Sequence, residues 1–286
     1  MRKFILLLIV VLSFCAWSLN NGGVTIDNAG VSFDTSTIVA WDISDAVVAQ
    51  YKMNDDAAST VIVDSIDADN GVLGGGDTTD AKTIAGHLNG ALTLNGSDDY
   101  IDCSAIISDL AVSDIGEMNF WFKMDAYGSA DKIYGIDHPT NTTYTYLRTI
   151  TSGGTKLQAV TTCDSVNDWT WTSTSAVDFA GTWVGNWVNI SIKVDGSEQV
   201  CYINNAILPI TYGAQGDKTS WWKEFFTDAT AKATSITLGA HKWTGTYADF
   251  HDAQYDNFIF VVGRTLTDAE RTSIYNAGAG TEALSG

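Results

Sequence analysis

Apolar and polar residues alternate with a period of two along most of this chain, the spacing of strands with one buried face. The clearest case runs from Trp187 to Asn205. Val188, Ile190, Ile192 and Val194 alternate there with Asn189, Ser191 and Lys193. Asp195-Gly196 follows, a pair that tolerates the positive φ angles of a tight turn. Val200-Cys201-Tyr202-Ile203 returns, and Asn204-Asn205 offers a second turn. The pattern predicts a β-hairpin with one apolar and one polar face. Shorter strand-and-turn runs are predicted at 47–53, 61–63, 86–96, 118–124, 132–136, 143–150, 156–162, 236–240 and 255–260. Residues 24–26 and 31–33 alternate in the same way and read as a leading hairpin or an ordered linker. Near the end the period changes. Thr267 and Glu270 form a capping box, which predicts a short helix, and Gly278 suits the left-handed residue that closes one.

Charge narrows the partners. The chain has 286 residues, with 15 Lys+Arg against 34 Asp+Glu, a net charge of −19. Nucleic acid and anionic membrane surfaces call for basic patches, so neither is expected as a partner. Arg2-Lys3 precede an apolar run from Phe4 to Val11 that extends through Leu12, Phe14 and Trp17. This reads as a signal peptide of residues 1–18, cleaved after Ser18, and it is too short for a comfortable membrane span. Bulky Phe14 before Cys15 argues against a lipoprotein site. Export would remove Cys15 and leave Cys103, Cys163 and Cys201, an odd number without metal-ligand spacing.

Several pieces in order resemble the laminin-G-like domains of the concanavalin A-like lectin/glucanase superfamily. The hairpin from Trp187 to Asn205 is similar to that family's late hairpin, with Asn205 where the family usually has Gly. Met118-Asn119-Phe120-Trp121-Phe122-Lys123-Met124 resembles its central strand. Tyr255-Asp256-Asn257-Phe258, Arg264-Thr265-Leu266 and Tyr275-Asn276-Ala277-Gly278 resemble its closing strand, turn and helix end. The resemblance implies an all-β fold: a jelly-roll sandwich of two antiparallel sheets with a short C-terminal helix. It implies one domain over residues 47–280, after an N-terminal extension of residues 19–46 and before a tail of 281–286. Trp121 and Trp187 would then lie in core strands.

Candidate chemistry is sparse. Glycoside hydrolysis needs two facing carboxylates, about 5–5.5 Å apart in retaining enzymes, and the superfamily's hydrolases carry a Glu-X-Asp-X-Glu type strand. No such strand occurs here. Glu117 has no acid on its own face, Glu198 lies in a hairpin turn, Glu270 caps a helix and Glu224 has no visible partner. A hydrolase or lyase is therefore the weakest reading. Asp64, Asp67, Asp69 and Asn70 place several hard oxygen donors in one loop, the ligand type of Ca²⁺. Turn formation alone also explains these residues. The resemblance adds Asp252 or Asp256 of the closing strand as a further calcium ligand. Sugar rings pack on exposed aromatic rings. Trp169 and Trp171 in a Trp-rich loop, Trp221 and Trp222 in an insertion spanning 211–233, and Trp243 and Tyr247 flanking Gly245 are the candidates for a glycan site. Core packing is the alternative for each Trp.

Two readings follow. One is an exported, non-catalytic carbohydrate-binding or adhesion module that takes a polysaccharide or glycan, with calcium as a structural ion. The other is a structural sandwich that binds a surface protein. Asn-X-Ser/Thr sequons stand at Asn95, Asn141 and Asn189.

Overall fold

The computed structural model describes residues 24–27, 30–33 and 41–286, apart from 141, 152–153, 165 and 220. The signal-peptide region and the sequon at Asn141 lie outside the described residues. The chain divides into two compact units. In the smaller, β1 (Val24–Asp27) pairs antiparallel with β2 (Gly30–Phe33), with Val24 opposite Phe33. The Trp41–Asp42 stretch of this unit bridges to Ser285. The larger unit spans Ile43–Leu284.

The larger unit is a sandwich of two antiparallel sheets. One has nine strands, in the order β17 (Ile210–Gln215), β13 (Val166–Ser173), β12 (Lys156–Cys163), β11 (Tyr144–Ile150), β10 (Lys132–Asp137), β18 (Ser235–Leu238), β8 (Ile101–Asp102), β5 (Gly71–Leu73) and β4 (Val61–Ile62). The other runs β16 (Ala206–Ile207), β15 (Gln199–Ile203), β14 (Val188–Val194), β9 (Gly116–Met124), β21 (Asp252–Val262), β7 (Gly90–Asn95) and β6 (Thr83–Ala85). Its eighth strand, β3 (Val47–Tyr51), pairs with β21. A small hairpin, β19 (His241–Trp243) and β20 (Thr246–Ala248), links β18 to β21. No described helix is long and apolar enough to cross a membrane.

Alternation sets the core. Phe120, Phe122 and Met124 of β9, Ile190, Ile192 and Val194 of β14, and Leu147 of β11 all point between the sheets. The hairpin of β14 and β15 forms as its pattern requires, with Ile192 opposite Cys201, Gly196 at φ +89° and Asn204 and Asn205 at +51° and +62°. Its polar face is not in water, however. Asn189 and Ser191 are each 1% exposed, and a buried Asn189 is no glycan acceptor in the folded chain. Asn189 and Asn119 of β9 exchange side-chain hydrogen bonds at 3.0 and 3.2 Å.

The C-terminal segment is docked on this side of the sheet. Its helix, Asp268–Tyr275, starts with the capping box of Thr267 and Glu270 and ends at left-handed Asn276. Arg271 is fully buried and donates to Glu117 of β9 through Nε at 2.8 Å and Nη2 at 3.0 Å. Glu117 also accepts from Leu266 N at 2.8 Å and from Ser191 Oγ. The Arg271 guanidinium lies 4.0 Å from the Tyr202 ring centre. Glu117 thus anchors the C-terminal helix to the sheet. Further along, Gln50 donates to Asn257 Oδ1 and Glu282 O, and Asn257 donates to Thr281 O.

Candidate functional site

Four of the six candidate glycan residues are core residues. Trp169, Trp171, Trp221 and Trp222 are each 0% exposed. Trp169 and Trp171 lie in strand β13 and do share a face, but it is the inner one: Trp171 stands opposite Ala159, another core residue. The Trp171 indole donates to Gln199 Oε1. The insertion folds inward rather than outward. Trp221 stacks on Trp222 at 5.2 Å, and Trp222 reaches Phe260 at 6.1 Å. None of these four rings can meet a sugar, because burying apolar ring area stabilises the sandwich more than exposing it would.

Trp243 and Tyr247 stay near the surface, on the β19–β20 hairpin. Thr244 and Gly245 make its two-residue turn at φ +47° and +84°, the left-handed pair that a tight hairpin requires. The hairpin lies over β10 at Gly135, where an added Cβ would come within 2.7 Å of His241 Cβ. Tyr247 braces it: its ring stacks on Tyr100 at 3.6 Å and its hydroxyl donates to Asp102 Oδ2 at 2.9 Å. Asp137 of β10 accepts from Lys242 N at 2.9 Å. Trp243 remains 44% exposed.

Beside the hairpin, on the outer face of the nine-stranded sheet, is a groove of about 310 Å³ lined by Lys132, Tyr146, Arg148, His241, Trp243, Ala248 and Asp249. Its floor comes from neighbouring strands. Lys132 of β10 stands opposite Arg148 of β11, which stands opposite Gln158 of β12. Tyr144 and Tyr146, on the same face of β11, are parallel within 4° with centres 5.6 Å apart, and Tyr144 lies 6.4 Å from Trp243. Tyr146 has Lys132 Nζ over its ring at 4.5 Å and the Arg148 guanidinium at 5.3 Å.

The groove is electrostatically ordered. Lys132 Nζ donates to Asp249 Oδ2 at 2.7 Å and to Ala130 O at 2.9 Å. Burial lowers the Lys132 pKa, and the Asp249 hydrogen bond opposes that shift. Partial burial works against the Asp249 carboxylate, but Lys132 holds it below its ordinary value. His241 Nε2 is 3.2 Å from Asp249, and Nδ1 is 3.5 Å from Asp137. The sequence reading missed every lining residue except Trp243. The available signal was the i, i+2, i+4 series Tyr144, Tyr146, Arg148, an aromatic and cationic face on one strand.

The acidic loop brings some of the candidate ligands together and not others. Side-chain oxygens of Asp67, Asp69 and Asp109 lie within 4.8 Å of one another. Asp109, from the helical turn Ile107–Leu110, is the member that sequence spacing did not show. Asp64 is 4% exposed, and its Oδ2 has no hydrogen-bond partner, while Oδ1 accepts from Gln50 N and Ile66 N. Burial raises the Asp64 and Asp69 carboxyls, with Asp67 beside the first and Asp109 beside the second. Crowded carboxylates with an unmatched oxygen fit a hard divalent cation. Asn70 instead turns its Oδ1 to Asp64 N at 2.9 Å. Asp252 pairs with Asn95 across the other sheet. Asp256 is not part of the cluster either: it is fully buried and accepts from Leu88 N at 2.6 Å.

No family model matches the sequence, and no curated protein matches it. Solved structures do match. Domain 4 of AbnA, a GH43 extracellular arabinanase from Geobacillus stearothermophilus, solved with arabinotriose, is 17% identical at a TM-score of 0.50, covering 78% of this chain and 95% of that one. An HCR/D mutant is 13% identical at a TM-score of 0.53, covering 82% of this chain and 53% of that one. The Ruminococcus gnavus IT-sialidase CBM40 bound to α2,3 sialyllactose is 13% identical at 0.47, covering 63% and 93%. What the first two similarities establish for the chain is its β-sandwich fold.

Proposed function

We propose that this sandwich is an exported, non-catalytic carbohydrate-binding module that holds a glycan in the groove beside the β19–β20 hairpin. The observation that carries this reading is the groove itself. An exposed Trp243 and the half-buried Tyr144 offer apolar ring faces beside the hydrogen-bonding groups of Arg148 and Asp249. Sugars present an apolar C–H face and a polar rim, and such a surface suits both. One carboxylate lines the groove, Asp249, and it is engaged by Lys132. That supports binding over hydrolysis, which uses two. The fold likeness to an arabinanase domain solved with arabinotriose points to the same class. Export rests on the charged and apolar N-terminal pattern.

The same reading gives calcium a structural role, held by Asp64, Asp67, Asp69 and Asp109, where it would offset the repulsion of the crowded carboxylates. A second reading, a protein-binding sandwich, draws on exposed Val61, Val63, Ile66 and Val72 at one edge of the nine-stranded sheet.

The test is calorimetric titration of the protein with a panel of oligosaccharides, for the wild type and W243A. Binding that W243A weakens about tenfold or more supports the reading. A folded protein that binds no member of the panel refutes it. Adding EDTA should lower the melting temperature if the cation is structural, and an unchanged melt removes calcium from the proposal.

A further inference from the structure

We propose that the sugar taken by this groove carries a carboxylate and that Arg148 binds it. The inference rests on the glycan-binding reading and narrows it to acidic sugars, uronates or sialic acids.

Three formally charged side chains line the groove besides His241: Lys132, Arg148 and Asp249. Lys132 is already matched. It is 2% exposed and sits 2.7 Å from Asp249 Oδ2, and a buried ammonium without such a partner would be strongly destabilising. That pair belongs to the fold. Arg148 has no equivalent. It is half-buried, and its hydrogen-bond partner is Gln158 rather than a carboxylate, with Asp249 feeling its charge only at longer range. Its Nε and Nη2 both donate to Gln158 Oε1, at 2.9 and 2.6 Å. Gln158 is neutral, and it is itself fixed by donating to Thr172 Oγ1 at 3.2 Å. One flank of the guanidinium is therefore held. The other donors, on Nη1 and the second N–H of Nη2, form the end-on fork that matches the two oxygens of a carboxylate. Asp137, the remaining acid nearby, is fully buried, is flanked by His241 and accepts from Lys242 N. It does not serve as a counter-ion to Arg148.

Lys132 and Arg148 against Asp249 thus leave the groove one positive charge in excess, in a chain whose net charge is −19. That balance fits a ligand with one negative group per bound residue. The acidic surface at large repels such a ligand weakly, because screening at physiological salt acts within about 8 Å. A fixed local cation is what makes capture possible. A neutral glycan can accept its N–H bonds through hydroxyls but cannot balance its charge. Tyr146, buried with its ring centre 5.3 Å from the guanidinium, packs under the fork, and the half-buried Tyr144 lies beyond it on the same strand face. A sugar ring lying along the aromatics would set a carboxylate within reach of Arg148.

The experiment is titration of the full protein at low salt with trigalacturonate, its methyl ester, 3′-sialyllactose and lactose. One acidic ligand should bind at least about tenfold more tightly than its neutral counterpart, and the acid that binds identifies the source of the carboxylate. R148Q should bring the acidic ligand down to the neutral level. W243A should weaken both. R148K, which keeps the charge and loses the fork, should retain part of the preference and serves as the folded control if R148Q unfolds. Equal binding of acidic and neutral ligands, or a preference that survives in a folded Arg148 variant without the charge, overturns the acidic assignment and leaves the glycan reading standing. No binding by the wild type to any ligand of this set or of the wider panel overturns both.

Discussion

Two buried groups with opposed titrations make contributions to the pH dependence of stability that largely offset each other until one of them is removed. His251 and Asp256 are each 0% exposed. Burial pushes Asp256 up to about 7, with the charge of Glu282 adding to it and the Leu88 N–H bond opposing it, from a reference of 3.8. Burial pushes His251 down to about 4 from 6.5. Between pH 4 and 7, folded Asp256 keeps a proton that the unfolded chain has released. Its contribution to stability therefore falls as pH rises through that window and is constant above it. His251 works the other way. Between pH 4 and 6.5 the unfolded chain holds the proton, so stability is lost as pH falls. Each unit of pH in the window is worth about 1.4 kcal/mol per group. On going from pH 8 to pH 5, Asp256 should add about 3 kcal/mol and His251 should remove about 2 kcal/mol.

The two nearly cancel in the wild type, and single variants should uncover them. D256N should gain about 3 kcal/mol relative to the wild type between pH 5 and pH 8. H251Q should gain about 2 kcal/mol relative to the wild type between pH 8 and pH 5. Urea unfolding followed by tryptophan fluorescence at four pH values reads both, since the chain carries ten Trp and the difference between variant and wild type removes the other acids. A variant-minus-wild-type difference that stays flat across pH for either residue refutes the argument for that residue.

Other outcomes follow from the packing. E117Q weakens the matched carboxylate of buried Arg271, and urea unfolding should show a loss of about 3 kcal/mol or more, as for a broken buried ion pair. T267A removes the acceptor for Glu270 N and should cost about 1 kcal/mol in the same assay. Cys103, Cys163 and Cys201 are buried, and burial raises the pKa of Cys103 and Cys201. All three should resist Ellman's reagent in the native protein and react once it is unfolded.

The sandwich was legible because a period of two is a local property. Val188 to Val194 announce a strand without reference to any other residue, and Thr267 with Glu270 announce a helix start. What alternation cannot say is which face looks inward. Asn189 and Ser191 read as a solvent face, yet a helix from about eighty residues downstream in the sequence covers that side. Trp169 and Trp171 share a face as their spacing requires, but that face is the core. Lys132, Arg148 and Gln158 meet only because β10, β11 and β12 pair side by side, with a register shift between Lys132 and Tyr134 that sets Lys132 opposite Arg148. Strand register across separate loops is set by long-range packing, so this row had no mark in the sequence. Asp109 joins Asp67 and Asp69 for the same kind of reason, through a distant helical turn.

The anchoring of the C-terminal helix by Glu117 and Arg271 also gives the sandwich a front and a back. The outer side of the eight-stranded sheet is committed to its own chain, while Tyr144, Arg148 and Gln158 leave the outer side of the nine-stranded sheet partly open. If the proposed groove takes a long polymer, that polymer would be met from one direction only, and copies bound along it would all turn the same side outward.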